Sequence, residues 1–110
     1  MKTTIRAMQH SRGFQIQFKN GYMLSIGIGG GHYCDNNSKP YLACVEEQHP
    51  TSTMEVAIMK NGHFVVLPLD VAGYVPCDNI GPLISAVEAE DWERVCVLCG
   101  ETFDKAQCKL

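Results

Sequence analysis

The strictest alternation in the chain is Phe14-Gln15-Ile16-Gln17-Phe18, apolar on one side and polar on the other, which predicts a half-buried strand. Lys19-Asn20-Gly21 follows, and Tyr22-Met23-Leu24-Ser25-Ile26-Gly27-Ile28 then alternates again. Burial decides the turn between them. A two-residue Asn-Gly loop would pair Phe18 with Met23 and set the apolar rows on opposite faces. A three-residue Lys-Asn-Gly loop pairs Phe18 with Tyr22, Ile16 with Leu24 and Phe14 with Ile26, so both rows share one face. The expected turn is type I with Gly21 left-handed, closing a bulge.

Lys60-Asn61-Gly62 separates Met54–Met59 from His63–Leu67, and the same bulged turn is expected there. That pairing puts Ile58 and Phe64 on one face and Val65 and Leu67 on the other. A hairpin apolar on both faces belongs in the middle of a sheet, with Pro68 ending its last strand. The residues before Gly13 are read as a further edge strand. Asp78 or Asn79 caps a helix, with Pro82 in its first turn and Leu83, Ile84 and Val87 as its apolar stripe. Glu88, Glu90 and Asp91 oppose the helix dipole and should fray its end.

The fold class expected is α+β: a small antiparallel sheet of two hairpins with one helix packed on one face. Residues 1–91 form the domain, with a long loop at 29–53 that holds a short strand at Tyr41–Val45. Residues 92–110 are a cysteine-containing extension packed on the same domain, with Arg94–Leu98 read as a strand and Trp92 as core.

Composition narrows the classes. At 110 residues and 45% hydrophobic, the chain suits one globular domain and not a disordered one. A formal net charge of -3 is too small for an acidic DNA mimic and has the wrong sign for non-specific nucleic-acid binding. No window approaches the ~20 apolar residues of a membrane span, and no leader is expected at Met1–Arg6. Six cysteines fall below the density of a disulfide scaffold, so the thiols are expected reduced or on a metal, in the cytoplasm of a host cell.

Three groups of residues suggest chemistry. Cys96-Val97-Leu98-Cys99-Gly100 has the form of a zinc-ribbon knuckle, with Cys108 as a third ligand and Cys77, His63 or a second chain as the fourth. Its alternative is a strand ending at Gly100 with incidental thiols, and no cofactor. Gly27-Ile28-Gly29-Gly30-Gly31-His32 ends a strand with backbone amides that could nest an anion, His32 and Tyr33 touching a phosphate or base. Its spacing is not a dinucleotide fingerprint, and the alternative is a hinge into the long loop. His32 and Cys34 face the same way in an extended chain, the minimum for a thiol–imidazole pair. Neighbours on one strand rarely approach closely enough for base catalysis, so an enzyme is not expected. Solvated loop histidines (His10, His49) and acidic faces (Glu46-Glu47, Glu88–Glu93) complete the inventory.

The order strand, Asn-Gly turn, strand, Gly29-Gly30-Gly31-His32-Tyr33-Cys34-Asp35-Asn36, then Met54-Glu55-Val56-Ala57-Ile58 and Val71-Ala72-Gly73-Tyr74-Val75 resembles a group of small uncharacterised proteins of tailed phages and prophages. The likeness covers roughly Gly13 to Val87 and transfers no catalytic residue. It implies a non-catalytic binding protein that inhibits a host defence system, anti-CRISPR or other. The expected contact residues are Gly29, Gly30, Gly31, His32, Tyr33, Asp35 and Asn36, aided by exposed apolar side chains such as Met23 or, if it is not core, Trp92. A protein that sequesters a nucleotide signal on residues 27–33 and a zinc-stabilised interaction module are the alternatives. Exposed sheet edges would allow a homodimer.

Overall fold

The computed structural model describes residues 2–9, 12–36 and 50–108. Six strands form one antiparallel sheet: β1 (Thr4–Ala7), β2 (Arg12–Gln17), β3 (Tyr22–Ile28), β4 (Thr53–Lys60), β5 (His63–Phe64) and β6 (Val71–Pro76). The order is β1-β2-β3-β4-β5, and β6 pairs with the first half of β4, so β5 and β6 are two pieces of one edge. Two helices follow, α1 (Ile80–Glu88) and α2 (Trp92–Leu98). The class is therefore α+β as read, with a second helix. The expected strand at Tyr41–Val45, His10, His49 and Glu46-Glu47 lie outside the described residues.

The first hairpin has the register that burial demands. Ile16 faces Leu24 and Phe14 faces Ile26, while Phe18 N donates to Tyr22 O at 2.8 Å and Gly21 takes φ 96°. Asn20 at its tip reaches further. Its Oδ1 accepts from Tyr22 N at 3.0 Å, and its Nδ2 donates to the Val87 and Glu88 carbonyls at 3.1 and 3.3 Å, binding the turn to the C-terminal end of α1. The edge strand expected before Gly13 is β1, in register from Thr4↔Gln17 to Ala7↔Phe14.

The second hairpin corrects the expected turn. Lys60 pairs with His63, and Asn61 and Gly62 both have positive φ (53° and 79°): a two-residue primed turn. Burial again decides, with different residues. The tight turn sets Val65 beside Ile58 in the core, Val65 N donating to Ile58 O at 2.9 Å, and leaves Phe64 beside Met59 on the other face. A bulged turn would have buried Phe64 and exposed Val65. The strand stops at Phe64, four residues short of Pro68, where Val66 turns left-handed (φ 73°) and its N–H is held by Cys108 O at 2.8 Å.

The tail corrects a strand to a helix. Trp92, Val95, Cys96 and Cys99 recur at i, i+3, i+4 and i+7 and are all buried, a helical stripe that the Val95/Val97 alternation masks. Asp91 caps α2, accepting from Arg94 N at 3.3 Å. Its C-terminus closes with Gly100 at φ 75°, Gly100 N donating to Val97 O at 3.1 Å and Glu101 N to Cys96 O at 2.8 Å. This is the Schellman arrangement, so Cys96-x-x-Cys99-Gly100 closes the helix. Helix α1 ends in the same way, with Glu90 left-handed (φ 55°) and Asp91 N donating to Ala86 O at 2.9 Å, so its acidic end is held rather than frayed. Asn79 stands at the N-cap of α1 but spends its side chain on the Leu98 carbonyl at 2.9 Å, tying the start of α1 to the end of α2.

Leu24, Ile26, Met54, Val56, Ile58 and Val75 on one sheet face meet Leu83 and Val87 of α1 and Trp92, Val95 and Cys96 of α2 in one core. The Trp92 ring tilts onto Tyr22 with centroids 4.5 Å apart, confirming it as core. Cys108 joins the same core. Among the described residues no helix is long and apolar enough to cross a membrane.

Candidate functional site

Both helices cover one face of the sheet, so the other face is where the glycine-led segment lands. Gly27 of β3 pairs with Glu55 of β4, and on the far side of Glu55 the β4–β6 register slips between Met54 and Val56. There Gly73 and Tyr74 together oppose Glu55, a bulge with Tyr74 left-handed at φ 54°. Two glycines thus flank one carboxylate and leave a trough in the sheet. A Cβ on Gly27 would stand 2.2 Å from His32 Nδ1, and one on Gly73 would stand 2.6 Å from Tyr33 Cβ, so the His32 ring and Tyr33 occupy the space both glycines vacate.

Glu55 fastens the segment there. Its Oε1 lies 3.1 Å from His32 Nδ1, and its Oε2 accepts from Tyr33 N at 2.9 Å. A carboxylate only accepts, so Nδ1 carries the hydrogen of this contact. The other ring nitrogen, Nε2, is buried and has no hydrogen-bond partner among the described residues. Tyr33 O accepts from Tyr74 N at 2.9 Å, which joins the segment to the bulge itself. Further along, Gly29 N donates to Asn36 Oδ1 at 2.9 Å, Cys34 Sγ to the same oxygen at 3.2 Å, and Asp35 N to Thr53 Oγ1 at 2.9 Å. The Asp35 carboxylate accepts from Ser52 Oγ.

This geometry changes the expected roles. The amides of Gly29, His32, Tyr33, Cys34 and Asp35 all donate within the protein, with His32 N on Gly29 O at 3.2 Å and Cys34 N on His32 O at 3.1 Å. An anion nest needs those donors turned outward, and here a carboxylate lies beneath them. Gly29 is buried, Gly30 half-buried and Gly31 exposed, while Cys34 and Asn36 are buried. His32 and Cys34 do not form a nucleophile–base pair, since the ring is on Glu55 and the thiol is on Asn36 and the Gly29 carbonyl at 3.8 Å. Residues 29–36 are therefore a docked segment rather than a free excursion.

The tail cysteines divide by location. Burial pushes the Cys96 thiol up to about 11, with Cys108 and Glu101 adding, and the Cys99 thiol up to about 12, with Cys96 and Glu101 adding. Burial also raises Cys108, while a hydrogen bond from the Val66 backbone draws it down. Cys77 is raised by burial and then by Asp78, Asp35 and Cys34, a different neighbourhood beneath the docked segment. Thiolates are the form that binds metal or attacks, and these four positions favour the thiol. His63, the other candidate ligand, is exposed on β5. Among the described residues, no group of three or more His, Cys, Asp or Glu side chains is arranged to hold a metal ion.

Two features escape a reading of the sequence alone. The first is Glu55, hidden in an ordinary alternating strand, whose partners lie 22 and 23 positions away. The second is a group of exposed apolar side chains: Tyr33 is 61% exposed, Phe64 40%, Leu69 77% and Tyr74 53%. Three of these lie on the β5–β6 edge, and the fourth, Tyr33, is seated on Gly73 of β6. Met23, half-buried, is on the same outer face at the far end of β3. No family model, curated protein or solved structure matches the chain.

Proposed function

We propose that this chain is a non-catalytic binding protein whose contact surface is the outer β5–β6 edge of the sheet together with the docked segment 29–36. The observation that carries this is the pairing of Tyr33 and Tyr74. Both rings are more than half exposed, and both backbones are fixed, one by Glu55 and the other by a left-handed bulge. Exposed tyrosines on a rigid support lose little entropy on binding and serve as interface anchors. A strained, non-glycine φ at an exposed aromatic is also where functional constraint is expected. A non-catalytic role is supported by His32, whose Nε2 is buried and so closed to a substrate proton.

The resemblance to small phage proteins makes the partner a component of a host defence system, such as a CRISPR effector complex. The test is titration of the purified protein against purified defence complexes, read as binding and as inhibition. Saturable inhibition is expected, and Tyr33→Ala/Tyr74→Ala should weaken it about 100-fold or more with Tm unchanged. Failure to bind any complex, or full activity of the double variant, overturns the proposal. Sequestration of a nucleotide signal predicts thermal stabilisation by cyclic nucleotides or ADP-ribose derivatives, about 2.7 kcal/mol at 100 times Kd. The amides of Gly29, His32, Tyr33, Cys34 and Asp35, all spent within the protein, predict no such shift.

A further inference from the structure

The hairpin end of the same outer face holds a cavity of about 300 Å³, bounded by Arg6, Gln15, Gln17, Met23, Met59 and Asn61 among others, with no acidic side chain in its lining. In a chain with twelve acidic and nine basic residues, that is a local reversal of charge. Its guanidinium is positioned by a chain of hydrogen bonds. Ser25 Oγ accepts from Gln15 Nε2 at 3.2 Å, and Gln15 Oε1 accepts from Arg6 Nε at 2.8 Å. One terminal nitrogen of Arg6 rests 3.9 Å from Met23 Sδ. Of the five donors of the guanidinium, Nε is committed to Gln15 and one Nη2 hydrogen to Met23 Sδ; the three that remain, two on Nη1 and one on Nη2, form a fork suited to a carboxylate. Gln17 spends its amide nitrogen on Tyr22 O at 3.3 Å, which leaves its Oε1 as an acceptor. Met23 and Met59, paired across β3 and β4, form a soft apolar floor.

We infer that this cavity is a binding site for an acidic peptide segment of a protein partner. A Glu or Asp carboxylate sits on the Arg6 fork, a peptide N–H meets Gln17 Oε1, and a neighbouring aliphatic side chain lies on the two methionines. A nucleotide fits less well: the lining offers no aromatic ring to stack a base. The second cation at the rim, Lys60, is turned to the helix side, with Nζ 3.3 Å from Tyr22 Oη and 4.4 Å from the centre of its ring. The site adjoins the proposed contact surface through the Met59–Phe64 pair. It takes from that proposal only the choice of a protein as the source of the carboxylate.

The experiment is a ¹⁵N–¹H titration of the full chain with acetyl-Leu-Glu-Leu-amide, with acetyl-Leu-Gln-Leu-amide, ATP and inorganic phosphate in parallel. Saturable shifts are expected at Arg6, Gln15, Gln17, Met23 and Met59 with the Glu peptide, about tenfold weaker binding with the Gln peptide, and little with ATP or phosphate. Arg6→Gln should abolish the preference for Glu over Gln, and Arg6→Lys should restore only part of it, both with the remaining spectrum unchanged. Equal binding of the two peptides, absence of shifts at these residues, or stronger binding of ATP or phosphate would overturn the assignment. Tyr33→Ala/Tyr74→Ala should leave the peptide shifts intact, so loss of the tyrosine surface and loss of this site are read separately.

Discussion

Glu55 holds two donors at once, and it can do so because Gly27 and Gly73, one on each adjacent strand, leave the space that His32 and Tyr33 fill. Gly27→Ala would drive a methyl group into the His32 ring. The expected cost is about 1–3 kcal/mol, that of overpacking a filled site, read as a fall in the urea midpoint with the m-value unchanged. The same substitution at the exposed Gly81, where a Cβ meets nothing within 4 Å, provides the control. The buried thiols make a second prediction at this scale. Cys96 and Cys99 are raised from 9.0 to about 11 and about 12, so above pH 9 the unfolded chain gives up protons that the folded one keeps. The unfolded state then binds fewer protons, and stability falls as pH rises between about 9 and 11. Cys96→Ala/Cys99→Ala should flatten that decline in urea titrations, and an unchanged slope would show that these thiols are not its source.

At the scale of elements, the two Lys-Asn-Gly tips show how far local pattern reaches. The first turn is legible because Phe14, Ile16 and Phe18 alternate with glutamines and leave one register that buries both rows. The second is not, because β4 and the residues after Gly62 are apolar on both faces, and what decides between Phe64 and Val65 is the tail packed against Val66. Helix α2 was hidden for a similar reason: seven residues with two valines at alternate positions satisfy both periods, and only Trp92 and Cys99 at its ends make the helical one visible. The docking of the first turn on α1 yields a prediction. Asn20→Ala removes the donor to the Val87 and Glu88 carbonyls and should cost about 1–2 kcal/mol. Asn20→Asp should cost more, since it sets a negative charge against the negative end of the helix. Equal stability of all three proteins in thermal melts would dismiss the tether.

For the whole molecule, the governing asymmetry is that both helices cover one sheet face and leave the other to a segment of the chain itself. The α+β class and the existence of α1 could be read from apolar spacing, since each depends on near neighbours in sequence. The site could not. Its trough arises from Gly27 and Gly73, 46 positions apart, and from a bulge that no local pattern announces. The glycine run reads in sequence as a loop open to a ligand, whereas the amides of Gly29, Tyr33 and Asp35 are spent within the protein and the one tyrosine of residues 29–36, Tyr33, is exposed. The most direct measurement is amide hydrogen exchange at Tyr33, Asp35 and Tyr74 in the wild-type protein and in Glu55→Gln. Docking on the sheet predicts exchange far slower than an open chain at all three amides, with Tyr33 and Asp35 accelerated in Glu55→Gln while Leu24 and Val56 keep their protection. Open-chain rates at Tyr33 and Asp35 in the wild type, or identical rates in the two proteins, would contradict it.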